Sequence, residues 1–174
     1  MEFKDWLFWK KRGLKKRLGF SVDSRLHYVA NKEEIQDFAA AARGNALAEI
    51  FYRNEGRPVQ KWAHYLDLYD QHFAPFRSTP CKMLEIGVLQ GGSLDLWREY
   101  FGPQAVLFGI DIDPECALKV TPPSEVLIGS QDDPDFLRSV VDKMGAPNII
   151  LDDGSHVARH QRTSFRTLSF SSCH

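Results

Sequence analysis

Four short apolar runs, evenly spaced, constrain the fold of this chain more than any other feature. They are Met83-Leu84-Glu85-Ile86, Val106-Leu107-Phe108-Gly109-Ile110, Val126-Leu127-Ile128 and Asn148-Ile149-Ile150-Leu151, and they begin 20 to 23 residues apart. That interval is the room a strand, a crossover helix and two short loops require. The segments between them carry helix signals. Ser93 to Phe101 places Leu94, Trp97 and Phe101 on one face, and Asp133 can cap a helix that Pro134 opens, with Phe136, Leu137, Val140 and Val141 on its buried side. Four βα units in succession predict an α/β fold with a parallel sheet covered by helices on both faces.

The chain before these units has a different period. Residues 1–75 read as a helical region and residues 76–174 as the α/β domain, with Pro75, Pro80 and the polar stretch between them at the boundary. Asn31 and Glu34 form a capping box for a helix expected to run to Tyr52, weakened at Gly44. A second helix is expected from about Val59 to Phe73, with Trp62, Tyr65, Leu66, Tyr69 and Phe73 at spacings of three and four, as core or as a lid over the next domain. Residues 1–20 hold seven Lys or Arg against Glu2 and Asp5, a net +5 that leaves −6 on the rest of a chain whose total is −1. Such a basic amphipathic start either lies on an anionic membrane surface or packs with a solvated basic face. A single basic cluster on an otherwise acidic chain argues against a nucleic-acid partner. Cys81, Cys116 and Cys173 form no CxxC pair, no run reaches 18 apolar residues, and no signal peptide is evident, so the expected compartment is the cytoplasm.

Ligands of open parallel sheets bind beyond the carboxyl ends of the strands. After the first strand stands Glu85-Ile-Gly87-Val-Leu-Gln-Gly91-Gly92-Ser93, in which Gly87 allows a tight turn and Gly91 and Gly92 allow a ligand close to the backbone. The spacing is not the G-x-G-x-x-G of a dinucleotide site, and a carboxylate at Glu85 suits a ligand ammonium better than a pyrophosphate. Asp111 ends the second strand 24 residues after Gly87, where an acid can accept both hydroxyls of a ribose. Gly129-Ser130-Gln131-Asp132 ends the third strand with groups suited to the edge of an adenine, and Asp152-Asp153-Gly154-Ser155-His156 ends the fourth. Each of these has a structural alternative, since acids and amides at strand ends also cap the following helix; for Asp133 that reading is preferred.

The runs LEIGVLQGGSLDLW, FGIDIDP, GSQDDPDF and LDDGSH, preceded by KWAHYLDLYDQHF, resemble the class I, Rossmann-like methyltransferases that use S-adenosylmethionine. Within that class they are most similar to the metal-dependent sugar O-methyltransferases of macrolide biosynthesis and the related cephalosporin-hydroxylase and rhamnosyl-methyltransferase group. The resemblance covers roughly residues 59 to 166. It implies that Glu85, Gly87 and Gly91, with Ser93, line the methionine part of the cofactor, that Asp111 binds its ribose, and that Gln131 and Asp132 meet its adenine end. It implies further that Asp153 is a Mg²⁺ ligand with Asp152 beside the cofactor or the metal, and that His156 is the general base. The acceptor would be a hydroxyl of a small molecule, a sugar among the candidates. A rival reading places His156 in the first turn of a helix with His160; the i, i+4 pair lacks the Glu of HExxH, which argues against zinc.

Only four of the class's seven strands are found, then one helix from about His156 to Arg166 and a tail, Thr167 to His174, with no helical stripe. The family's second acidic pair, which completes the metal site, has no counterpart. The expectation is therefore a truncated chain with a partial Mg²⁺ site, an unpaired fourth strand and weak or no catalysis. Alternatives are a non-catalytic fragment that keeps a nucleoside pocket or only a protein contact, and an NAD(P)-linked oxidoreductase. The oligomeric state stays open, a homo-oligomer included.

Overall fold

The computed structural model describes residues 43–170. The basic start at residues 1–20, the capping box at Asn31 and Glu34, and Cys173 lie outside the described residues. The elements run α1 (Ala46–Tyr52), α2 (Ala63–Phe73), β1 (Lys82–Ile86), α3 (Gly92–Phe101), β2 (Val106–Asp111), α4 (Glu115–Lys119), β3 (Glu125–Ile128), α5 (Pro134–Met144), β4 (Ile149–Asp152) and α6 (Ala158–Phe170), with a 3₁₀ turn at Ala74–Phe76.

All four strands pair in parallel in the order β3-β2-β1-β4. Their registers, Leu84 opposite Phe108 and Ile150 and Phe108 opposite Glu125, bring the carboxyl ends of the strands to one edge of the sheet. The sheet grows outward from β1 in one direction as far as β3, then jumps back to place β4 on the other side of β1. The switch in strand order thus falls between β1 and β4, the crevice where such sheets hold ligands.

Alternation along the strands makes two cores. Met83, Leu107 and Ile149 point to one face, under Leu47, Phe51, Leu66, Trp97 and Phe101 of α1, α2 and α3. Leu84, Ile86, Phe108 and Ile110 point to the other, under Leu137, Val140, Val141 and Met144 of α5 and Leu168 of α6. Trp97 is fully buried, and Tyr69, Phe73, Tyr100 and Phe101 surround it with ring centroids 5.7 to 6.3 Å away. The aromatics of α2 and its N-cap therefore divide: Tyr69 and Phe73 belong to the core, whereas Trp62, at the cap, and Tyr65 are exposed. The helices before residue 75 share this core with the sheet.

Local chemistry sets the helix ends. Asp133 accepts from the amides of Asp135 and Phe136 at 2.9 and 3.2 Å, and Pro134 opens α5, as its sequence predicts. Three expectations need correction. The helix ending at Tyr52 does not include Gly44, whose φ is 91°; it starts at Ala46, with Asn45 Oδ1 accepting from Ala48 N at 2.8 Å. Residues 59–62 are not helical, so α2 begins only at Ala63. The helix after β4 starts at Ala158 rather than His156 and runs on through Thr167 to Phe170, because Leu168 is buried against the sheet and extends its apolar stripe.

Candidate functional site

The turn after β1 is built around two requirements for glycine at position 87. Its φ is 91°, and a Cβ there would lie 2.4 Å from the carbonyl oxygen of Asp153 at the end of β4. The next amides, Val88 N and Leu89 N, donate to Asp111 Oδ2 at 2.8 and 3.1 Å, and Asp113 N donates to Oδ1 at 3.0 Å. Asp111, the last residue of β2, thereby fastens the turn that follows β1. Burial pushes its carboxyl upward, but the three backbone donors and the Cys116 thiol outweigh that and hold it below the usual carboxylate range. Asp111 is therefore a half-buried, ionised acid at the carboxyl end of β2. Burial, with Asp111 beside it, pushes the Cys116 thiol up to about 12, so it stays protonated and donates to Leu89 O at 3.2 Å. Leu89 has a φ of 54°, a left-handed conformation of the kind that clusters at ligand sites.

Glu85, completely buried beneath this turn, accepts from Ser93 Oγ at 2.6 Å, from Trp97 Nε1 at 3.3 Å and from Lys61 Nζ at 3.0 Å. Lys61 also donates to Asp153 Oδ2 at 2.6 Å, so one ammonium bridges the end of β1 to the end of β4. Burial alone would lower the lysine's pKa, but Glu85 and Asp153 raise it above its ordinary value, so it remains charged. Lys61 was not anticipated from the sequence. Its partners stand 24 and 92 residues away, and nothing local marks it.

Lys61 ends a segment that crosses the start of α3. Arg57 pairs with Asp95 in the first turn of α3, Nε to Oδ2 at 2.6 Å, and Asn54 Nδ2 donates to Arg57 O at 2.9 Å. A Cβ on Gly92 would lie 2.2 Å from Pro58 O. The small residue at 92 thus admits the chain's own backbone, not a ligand as expected. Gly91 is the left-handed N-cap of α3, with a φ of 77°.

Beyond β3 and β4 the predicted residues meet one another. Gln131 Nε2 donates to Asp152 Oδ1 and Oδ2 at 3.2 and 3.1 Å, and its Oε1 accepts from Ser155 N at 2.7 Å. Asp152 also accepts from Ser164 Oγ of α6 at 2.7 Å. Asp132 accepts from Thr163 Oγ1 at 3.0 Å and from Arg159 Nη2 at 2.7 Å. Gln131, Asp132 and Asp152 therefore tie the strand ends to α6, whereas Asp153 lies just past β4 beside the turn after β1, and Asp111 holds that turn from the end of β2. His156 precedes α6 with a φ of 57°, is mostly exposed, and holds Nε2 3.9 Å from Asp153 Oδ1. It is not in the first turn of the helix. His160 bonds through Nδ1 with Ser155 Oγ at 2.9 Å and lies 3.6 Å from Asp132, so the two histidines do not converge. Among the described residues no group of three or more His, Cys, Asp or Glu is placed to hold a metal.

No protein-family model matches the chain. It is 42% identical over 137 residues to the 8-demethyl-8-(2-methoxy-alpha-L-rhamnosyl)-tetracenomycin-C 3'-O-methyltransferase of Streptomyces olivaceus. With the L-olivosyl-oleandolide 3-O-methyltransferase of Streptomyces antibioticus the identity is 36% over 169 residues. The chain is homologous to sugar O-methyltransferases. The two alignments cover 75% and 86% of this chain but 35% and 43% of those proteins, so the chain spans well under half the length of the relatives it matches. Its fold is that of the MycE methyltransferase from the mycinamycin biosynthetic pathway, solved in complex with Mg, SAH and mycinamycin VI, with a TM-score of 0.64 and 27% identity over 83% of this chain and 43% of that one. The four-stranded parallel sheet of this chain, with helices on both faces, is thus a Rossmann-like α/β fold. No helix among the described residues is long and apolar enough to cross a membrane.

Proposed function

We propose that this chain carries the S-adenosylmethionine-binding portion of an O-methyltransferase that acts on a hydroxyl of a small molecule, a sugar of a glycosylated product being the acceptor class its relatives suggest. The observation that carries the reading is Asp111: an ionised, half-buried acid at the end of β2, fastened to a left-handed glycine turn at the switch in strand order. The donor set suits a cationic nucleoside. Asp111 can accept ribose hydroxyls, Gly87 and Gly91 with the buried Glu85 and Ser93 shape the methionine end, and Gln131, Asp132 and Asp152 frame the adenine side through their ties to α6. Asp153 offers one carboxylate to Mg²⁺, a partial site by itself.

Bound there, S-adenosylmethionine would supply a methyl group activated on a sulfonium, and Mg²⁺ with Asp153 as one of its ligands would lower the pKa of the acceptor hydroxyl. His156, whose Nε2 lies 3.9 Å from Asp153 Oδ1, would take the hydroxyl proton. The role of the surrounding residues is to hold oxygen, methyl carbon and sulfur in line. The cytoplasm is the compartment this chemistry fits, while peripheral membrane contact through residues 1–20 and homo-oligomer formation remain further parts of the proposal.

A calorimetric titration of the chain with S-adenosylmethionine tests the reading. Saturable binding is expected, weakened at least tenfold, about 1.4 kcal/mol, by Asp111→Asn. A folded chain that binds no S-adenosylmethionine would refute the proposal. A second reading, a non-catalytic fragment that keeps the nucleoside site, is favoured by the single metal-side carboxylate; cofactor binding without transfer of labelled methyl to any glycosylated acceptor supports it.

A further inference from the structure

We propose that Arg57 is a binding residue at the turn after β1, where its Nη1 edge receives the carboxylate of the amino-acid end of S-adenosylmethionine. The inference rests on the reading of that turn as the methionine end of a cofactor site. Its basis is the way the segment ahead of α2 is strapped across the start of α3. Arg53 pairs with Glu99, Arg57 with Asp95 and Lys61 with Glu85, so that three cations rest on three acids. Asn54 Nδ2 holds Arg57 O at 2.9 Å, and Val59 is buried in the core. The backbone on both sides of Arg57 is therefore fixed.

Within this strap the guanidinium is held side-on. Nε donates to Asp95 Oδ2 at 2.6 Å and Nη2 to Asp95 Oδ1 at 2.5 Å, a bidentate pair. That leaves Nη1 without an acceptor among the described residues. Nη1 is also the atom turned to the glycine turn. It lies 3.1 Å from where a Cβ on Gly91 would stand, and Val120 Cγ2 lies 2.8 Å from the same point. A side chain at 91 would collide with both, so glycine there is what lets the guanidinium lie against the turn.

The surroundings select the kind of anion. Lys61, only 3% exposed, is taken up by Glu85 and Asp153 and has no part in binding one. Asp95, Glu85, Asp153 and Asp111 gather on or beside the turn, so a multiply charged phosphate would meet one arginine among four acids. A single carboxylate carried beside an ammonium suits that mixed field, and the amino-acid end of the cofactor is such a zwitterion. The planar fork of an arginine can bind Asp95 on one edge and a second carboxylate on the other.

A purely structural Arg57 would only fasten the strap to α3. Asp95→Asn breaks that same ion pair but leaves the guanidinium in place, so it separates the two roles. The full chain, its folding checked by circular dichroism, is titrated calorimetrically with S-adenosylhomocysteine and with its decarboxylated analogue, which keeps the amine and lacks the carboxylate. The wild type should prefer the carboxylated ligand by about tenfold or more, the usual worth of a hydrogen bond to a charged group. Arg57→Gln should reduce that preference below about threefold, whereas Asp95→Asn should keep most of it. Arg57→Lys, which retains a cation for Asp95 but not the second N–H edge, should lose at least half of the preference, and it carries the test if the glutamine variant does not fold. Equal affinity of the wild type for the two ligands, an undiminished preference in the Arg57 variants, or an equal loss in Arg57→Gln and Asp95→Asn would overturn the role of Arg57 and leave the cofactor reading intact. A folded wild type that binds neither ligand would overturn the cofactor reading, and the role of Arg57 with it.

Discussion

Single positions in this chain are constrained by backbone approach as much as by side-chain chemistry. Gly44 and Gly87 share a φ of 91°, yet a Cβ at 44 would meet nothing within 4 Å among the described residues, while at 87 it would press on the backbone of Asp153 and Gly154. Gly44→Ala should therefore cost only the left-handed penalty, about 1–2 kcal/mol. Gly87→Ala adds a collision between two fixed backbones and should cost about 1–3 kcal/mol more. Urea unfolding of the two variants measures the difference. Equal losses would mean that β4 can move away from the turn, and that the crevice is softer than the close contact implies. Lys61 illustrates the opposite case, a residue whose importance lies entirely in remote partners. The acids at strand ends could be anticipated because a parallel sheet gathers its strand ends, so Glu85, Asp111 and Asp153 were expected near one another. A lysine in front of an aromatic helix has no such rule, and only the folded contact to β1 and β4 reveals it.

At the level of elements, the structure follows the sequence wherever the signal is local and unopposed. Each strand is a short apolar run between turn residues, and α5 has an acid cap, a proline at its first position and an apolar stripe. Asp133→Ala should destabilise the chain by about 1 kcal/mol, because it leaves the amides of Asp135 and Phe136 without their acceptor. A denaturation midpoint that does not move would indicate that solvent replaces the cap at no cost. Sequence and structure part where two signals compete or one is sparse. Ahead of α1, the capping box at Asn31 and Glu34 is the stronger sequence signal, yet Asn45, next to the left-handed Gly44, caps the helix. In α6 the stripe past Arg166 rests on Leu168 alone, too little to register as a period although its burial is complete within 1%. His156 was read into that helix because its φ of 57° leaves no trace in the sequence.

For the molecule as a whole, the sheet separates two cores of different character, and the crevice lies where both meet the strand ends. On one face the aromatic cluster around Trp97 packs α2 and α3 against β1 and β2 and carries Glu85 and Lys61. On the other, α6 packs beside α5 with Leu168 in the shared core, and its polar side holds Asp152 through Ser164 and Asp132 through Thr163. Leu168 thus supports the loops after β3 and β4 from behind. Leu168→Ala should cost about 2–5 kcal/mol, the usual range for a fully buried leucine. Phe165, on the same helix but 73% exposed, should tolerate alanine within about 0.5 kcal/mol. If α6 is what orders the strand-end loops, Leu168→Ala should also speed amide exchange at Gly154 and Ser155, whose N–H groups bond to Asp152 and Gln131. Exchange at Leu84 and Phe108, in the centre of the sheet, should rise only with the global loss of stability. A uniform rise at all four positions would mean that α6 and the sheet unfold as one unit, and that the loops take their order from the whole domain rather than from this helix.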